Sequence, residues 1–344
     1  MQKTPLVIKL GSAIITNKKG EVDHTVLQKL ASEVAALMDS YHIVLVSSGA
    51  VASGKAFINQ YKGTLTERKA AAAVGNPLLI QLYHKYFSTY NITIAQALCE
   101  RHHFSNRLQF LQLKDTFQEL WANNIVPVVN ENDLVSNVEL KFSDNDELAT
   151  LIAVGLDADT LLICTSAGGF LDAEKNIIPV VEKIDSQILS YGTSEKSAVG
   201  LGGMLSKLTF TRLATSLGIR VIISGLEGEH PVQSALQGSK GTIFKAQRSN
   251  LKARQKWLAS GSITIGSIYV DEGAEKALNT RKSLLAVGVN KTEGMFLPGE
   301  VVQLVNRDEQ IIGVAKARLS AQELEGQLSQ KGTIAAHADD IVLF

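Results

Sequence analysis

Short, uninterrupted apolar runs rich in Val and Ile alternate along the chain with segments whose apolar residues fall three and four positions apart. Continuous β-branched runs fit strands buried on both faces, and the wider spacing fits helices with one apolar stripe. Pro5–Leu10, Ile43–Val46, Ile92–Ala95, Val126–Val129, Thr160–Cys164 and Arg220–Gly225 therefore read as strands. Val26, Leu27, Leu30, Val34 and Leu37 predict a helix from Asp23 to Met38, with the Asp23 carboxylate as its N-terminal cap. Helices are expected over 115–121 and 148–155, and over Thr66–Phe87 with an interruption at Gly75-Asn76-Pro77, because proline has no N–H to donate and clashes with the preceding turn. Strand and helix in alternation predict an α/β fold, a three-layer sandwich around a mainly parallel sheet covered on both faces.

The pattern changes toward the C-terminus. Beyond Ala246 the chain is basic and polar as far as Trp257, and from Ser262 short apolar stretches lie between glycines, at 263–265, 268–270, 284–289, 300–305, 311–315 and 341–343. Such spacing predicts a second, small, mainly-β barrel. A chain of 344 residues exceeds what one core usually supports, so the expected division is a catalytic domain over 1–246, a linker over 247–261 and the β domain over 262–344.

Composition narrows the function classes. With 45% hydrophobic and 20% charged residues, and 34 Lys+Arg against 34 Asp+Glu, nothing global recruits nucleic acid or anionic membrane. From Leu258 to Phe344 eight Lys/Arg face eleven Asp/Glu, which argues against RNA as a ligand of the β domain. Cys99 and Cys164 are too few for a disulfide framework and read as buried thiols of a reducing compartment. Lys9 and Gly11 interrupt Leu6-Val7-Ile8 before a signal sequence can form, and no apolar run reaches the ~18 residues of a membrane span. A cytoplasmic protein is expected.

The densest polar stretch follows the strand at 126–129: Asn130-Glu131-Asn132-Asp133, then Asp144-Asn145-Asp146-Glu147 before a helix. Open α/β sheets bind ligands at the carboxyl ends of their strands. Ser143 or Asp144 can cap the helix, but capping accounts for only one or two of these side chains, and neighbouring carboxylates repel unless a cation or donor sits among them. The bland alternative is a solvated acidic loop. Amides alternating with acids behind an apolar strand favour a pocket for a small zwitterion carrying an ammonium group.

Three further stretches carry candidate chemistry. Lys9 lies inside an apolar strand that runs into Gly11-Ser12, which fits an ammonium snorkelling to solvent at a sheet edge or one aimed at a phosphate. Ser47-Ser48-Gly49-Ala50 turns a strand into a helix and offers hydroxyls and N–H groups to an anion; outside a Gly-x-Ser-x-Gly context, Ser48 is a substrate contact and not a nucleophile. Gly200-Leu201-Gly202-Gly203-Met204-Leu205-Ser206-Lys207 leads glycine-rich backbone into a helix and ends on an ammonium. It is neither a Walker A loop nor a dinucleotide fingerprint, yet its parts can hold a polyphosphate.

Asn130-Glu131-Asn132-Asp133 followed by Lys141-Phe142-Ser143-Asp144-Asn145-Asp146 resembles the glutamate 5-kinase signature of the amino-acid kinase family. The likeness continues through Lys9-Leu10-Gly11-Ser12, Ser47–Ala50, Gly200–Lys207 and Val270-Asp271-Glu272-Gly273-Ala274, and the C-terminal segment resembles a PUA domain. The resemblance implies ATP-dependent phosphorylation of the γ-carboxylate of L-glutamate to γ-glutamyl phosphate, the opening step of proline synthesis, with Mg²⁺ held mainly by ATP oxygens and water. It implies Lys9, Lys207 and Asp146 as the catalytic set, with Asp146 or Asp144 orienting the lysines, and Ser48, Gly49, Asn130, Asp133 and Asn145 around the glutamate. The nucleotide would meet Lys9, Gly11, Thr165, Ser166, Leu201, Gly202, Gly203, Met204, Leu205, Ser206 and Lys207. It further implies proline as feedback inhibitor, a homo-oligomer and a functional link to glutamyl-phosphate reductase. Ser166, Leu201 and Leu205 depart from the Asp, Thr and Ser usual in the family. Two alternatives stay open: a sister kinase with a different acceptor, such as aspartate, acetylglutamate or a nucleoside monophosphate, and a catalytically weakened amino-acid sensor or RNA-binding protein.

Overall fold

The computed structural model describes residues 3–105, 107–134, 145–193, 204–247, 266–296, 298–328, 330 and 332–343. The chain divides into two compact units, Met1–Glu100 with Lys114–Ser249 and Arg101–Leu113 with Asn250–Phe344. No helix among the described residues is long and apolar enough to cross a membrane.

The strands of the first unit are β1 (Thr4–Leu10), β2 (Tyr41–Ser47), β3 (Thr93–Cys99), β4 (Ile125–Glu131), β5 (Thr160–Cys164), β6 (Val180–Val181), β7 (Arg220–Ser224) and β8 (Thr242–Phe244). They form one sheet in the order β3-β4-β2-β1-β5-β7-β8-β6, parallel except where β7 meets β8. β1 is central, hydrogen-bonded to β2 on one side and β5 on the other. Because successive side chains in a strand point to opposite faces, Leu6, Ile8 and Leu10 share one core layer with Ile43, Leu45, Val126, Val128 and Leu162. That layer is closed by α1 (His24–Leu37) and, beyond the short α2 (Ala50–Gly54), by the long α3 (Leu65–Phe87). Asp23 caps α1 as expected, its carboxylate accepting from the N–H groups of Thr25 and Val26. Val7 and Lys9 face the other layer, where α4 (Asn145–Gly155) packs on β1, β2, β4 and β5, and α5 (Met204–Ser216) packs on β7 and α4. This is the expected three-layer sandwich.

The expected break at Gly75-Asn76-Pro77 is absent, and α3 runs through Pro77 without interruption. Pro77 and Ala73, whose carbonyl loses its usual donor, are both exposed, so solvent can take the missing bond. Gly75 has a different use. A Cβ there would collide with the Ala50 carbonyl, and one on Gly54 would collide with the Ala71 carbonyl, so α2 and α3 meet backbone to backbone. Other boundaries differ: the 92–95 strand is Thr93–Cys99, and the 115–121 helix lies within Arg107–Ala122. The hairpin arm read at 138–142 and the caps at Ser143 and Asp144 lie outside the described residues.

The second unit holds β9 (Ser267–Val270), β10 (Leu284–Leu285), β11 (Val289–Glu293), β12 (Val301–Val305), β13 (Ile311–Lys316), β14 (Ile334–Ala336) and β15 (Ile341–Leu343). β11-β9-β12-β13-β15 form one sheet, antiparallel except between β9 and β12, and β10 pairs with β14. Ile268, Val270, Phe296, Val302, Leu304 and Ala315 lie in its core. The strand expected at 263–265 is outside the described residues.

Candidate active site

The carboxyl ends of β1, β2 and β4 lie side by side and meet the N-terminus of α4. Sheet register brings Lys9 next to Val46 of β2 and Ile163 of β5, and Leu45 next to Val128 of β4. Two polar systems form there, joined at consecutive residues of the first turn of α4.

The first is charged. Lys9 Nζ lies 2.6 Å from Asp146 Oδ1, and Lys207 Nζ lies 3.0 Å from Asp146 Oδ2. One carboxylate thus bridges two ammoniums, from the central strand and from the first turn of α5. Asp146 is fully buried and Lys9 is only 5% exposed. The snorkelling explanation for Lys9 fails on topology: β1 is not an edge, and the pleat aims position 9 at the layer that contains α4. Burial alone would push the Asp146 carboxyl up, and this is the largest single influence on it. Lys9 and then Lys207 together outweigh it and hold the group below the usual carboxylate range.

The second system is neutral. The two protons of Asn145 Nδ2 are shared among three acceptors, the Ser47 carbonyl at 3.1 Å, Ser48 Oγ at 3.1 Å and Asn130 Oδ1 at 3.3 Å. Asn130 Oδ1 also accepts from the Glu131 N–H at 2.9 Å, and its Nδ2 donates to Asn76 Oδ1 at 3.2 Å. Gly49 makes the sharp turn between Ser48 and α2 with φ +111°, a left-handed conformation that a side chain would resist. A Cβ there would also press to 3.2 Å from Ile15 Cγ2.

Of the site residues read from sequence, Lys9, Asp146 and Lys207 converge, as do Ser48, Asn130 and Asn145. Asp133 sits half-buried in the turn after β4. Gly11 follows β1, where its N–H donates to the Cys164 carbonyl at 3.3 Å and a Cβ would stand 3.1 Å from that oxygen. Thr165 and Ser166 follow β5; the Thr165 N–H donates to the Ser224 carbonyl at 2.8 Å, and Ser166 is exposed. Met204 is buried at the start of α5, Ser206 is half-buried, and Leu205 is placed on the same turn. Leu201, Gly202 and Gly203 lie outside the described residues. Asn76 and Tyr83 on α3 were missed as site neighbours. Their signal was two polar side chains within the otherwise apolar face formed by Ala72, Leu79 and Phe87.

Comparison with known proteins bears on this geometry. The model of the amino acid kinase family matches residues 4–225, and that of the PUA domain matches residues 266–333. The chain belongs to the amino acid kinase family. It is 39% identical to a glutamate 5-kinase of Aquifex aeolicus (strain VF5), over 93% of this chain and 91% of that one. It is 36% identical to that of Chlorobaculum tepidum, over 95% and 93%, and 34% identical to that of Haemophilus influenzae (strain PittGG), over 100% of each. Among solved structures, carbamate kinase from Giardia lamblia bound to AMP-PNP shares the fold at 20% identity, with a TM-score of 0.53 over 71% of this chain and 99% of that one. In this amino acid kinase, a Lys–Asp–Lys bridge adjoins a cluster of amides and a hydroxyl across a single peptide bond, between Asn145 and Asp146.

Proposed function

We infer that the protein transfers the γ-phosphoryl group of ATP to the γ-carboxylate of L-glutamate, forming γ-glutamyl phosphate, the first step of proline synthesis. The observation that carries this reading is the adjacency of Asn145 and Asp146. Asn145 belongs to the uncharged pocket with Ser48 and Asn130, and Asp146 holds the two ammoniums. An acceptor in the pocket and a phosphoryl group on the lysines would therefore meet. Full-length similarity to glutamate 5-kinases supports the choice of acceptor.

The chemistry asks little of an acid or base. A glutamate side chain, with a reference pKa of about 4.3, is already ionised at neutral pH, so its oxygen attacks the γ-phosphorus without losing a proton. The bond to the bridging β,γ-oxygen breaks, and ADP leaves with that electron pair. Lys9 and Lys207 neutralise charge on the transferring group, and catalysis is positioning plus electrostatics. Asp146 keeps both ammoniums in place. Asp133 meets the substrate ammonium, and Ser48, Gly49, Asn130 and Asn145 hold its carboxylates.

The site residues fit the phosphates of a nucleotide: two ammoniums, of Lys9, which is buried, and of Lys207, which is half-buried, suit phosphate oxygens. Mg²⁺ bound to the phosphates supplies further charge neutralisation. The reading extends to a cytoplasmic homo-oligomer that proline inhibits and whose product passes to glutamyl-phosphate reductase.

The test is incubation of the purified protein with ATP, Mg²⁺, L-glutamate and hydroxylamine, which traps an acyl phosphate as its hydroxamate. L-aspartate, N-acetylglutamate and UMP run in parallel, with ADP release read in all. Hydroxamate from glutamate alone is the expected result, reduced by added proline. ADP release with another acceptor alone assigns a sister activity and overturns the reading.

A further inference from the structure

Asn76 and Tyr83 lie seven residues apart on α3, two turns along one face, and both point into the interior. Asn76 Oδ1 accepts from Asn130 Nδ2. That bond fixes the orientation of the Asn130 amide, whose oxygen must then face Asn145 Nδ2 and the Glu131 N–H. Asn145 Nδ2 in turn donates to Ser48 Oγ. With its oxygen occupied as an acceptor, the Ser48 hydroxyl has its own proton left to donate.

A second chain of bonds starts at Tyr83. Ser47 Oγ donates to the Ser48 carbonyl at 2.8 Å and lies 2.8 Å from the Tyr83 hydroxyl. A serine has one hydroxyl proton, and Ser47 gives it to that carbonyl, so the phenol is the donor in the second bond. Burial raises the Tyr83 pKa far above its ordinary value, which keeps that proton in place.

We propose that Asn76 and Tyr83 are positioning residues for the acceptor pocket, two relays from α3 that converge on Ser48, one at its hydroxyl and one at its carbonyl. Together they aim the Ser48 proton at a carboxylate oxygen of the amino-acid substrate. The proposal rests on Ser48 being an acceptor contact, as in the function inferred above.

Steady-state hydroxamate assays with glutamate and ATP varied separately test it, alongside melting temperatures. Asn76→Leu removes the acceptor while keeping the branched side-chain skeleton, and Tyr83→Phe removes a single oxygen. Each should raise the KM for glutamate by about tenfold, the consequence of losing one buried hydrogen bond. The KM for ATP and kcat should stay within about twofold, since neither relay reaches the lysines. In a Ser48→Ala background each substitution should raise that KM by less than it does in the wild type, because the hydroxyl that both relays aim is gone. Asn76→Ala takes the place of Asn76→Leu if the latter does not fold. An unchanged KM for glutamate in either variant, or losses in kcat and ATP binding that follow melting temperature, overturns the proposal. Ser48→Ala alone separates the two levels. If it leaves the glutamate KM unchanged, the pocket assignment itself falls; if it raises that KM while the α3 variants do not, only the relays fall.

Discussion

The two units of this chain place the same ion-pair chemistry in opposite surroundings. Lys9 and Asp146 meet at 2.6 Å with side chains 6% and 1% exposed; Lys276 and Glu272 meet at the same 2.6 Å with side chains 75% and 68% exposed. Distance alone would rank the pairs equal. At the surface, water and salt screen the charges and each side chain loses rotamer freedom on pairing, so little net stability results. In the interior, desolvation is severe and attraction is strong, so the system is satisfied only while all its members are present. Burial, then, makes the Lys–Asp–Lys bridge a device for holding two ammoniums in place, at the reaction centre proposed above. The surface pair is a solubility feature of a helix.

Substitutions can break this comparison. Asp146→Asn should have the largest effect, since it leaves the buried Lys9 and the half-buried Lys207 without their shared counterion: a stability loss of about 3–5 kcal/mol in denaturant titration and a collapse in turnover. If Asp146→Asn costs no more than Glu272→Gln, the comparison is wrong. The pH dependence sharpens the point. The folded Asp146 carboxyl has a depressed pKa, so its contribution is fully present above its unfolded value of about 3.9 and is lost as pH falls through the folded value. The stability gap between wild type and Asp146→Asn should therefore hold from neutral pH down to about pH 5 and close at lower pH.

Lys207→Ala comes next, with kcat reduced by about 100-fold or more and glutamate KM little changed, as expected for charge stabilisation that acts in the transition state. Asp133→Ala should do the reverse, raising glutamate KM with a smaller loss of kcat; wild-type kinetics in either variant would remove that residue from the site. Glu272→Gln, which removes the surface pair, should leave both melting temperature and turnover unchanged within error.

Much of the bridge was legible before any coordinates. Lys9, Asp146 and Lys207 each sit in a compact motif, and a lysine inside an apolar strand or a carboxylate at a helix start already asks for a partner. That the three meet depends on strand order: only with β1 in the middle of the sheet does the pleat turn Lys9 toward α4 and α5. The amide pocket was half legible. Asn130 and Asn145 stand in the dense polar stretch, whereas Asn76 comes from 54 residues upstream. It stands beside a proline that reads locally as a helix break. Tertiary packing decided otherwise, because Pro77 and Ala73 turn outward while Asn76 turns inward.

The seam between α2 and α3 has a mechanical consequence. Side chains in an ordinary helix contact can rotate and absorb a small displacement. Where Gly54 lies against Ala71 and Gly75 against Ala50, backbone rests on backbone, and there is nothing compressible between. α2 begins one residue after Gly49, so a shift of α3 would pass to the Ser48 turn nearly undiminished, as through a rigid strut and not a spring. Ångström-scale movements of α3 thereby become ångström-scale movements of the Ser48 hydroxyl, in the proposed acceptor pocket.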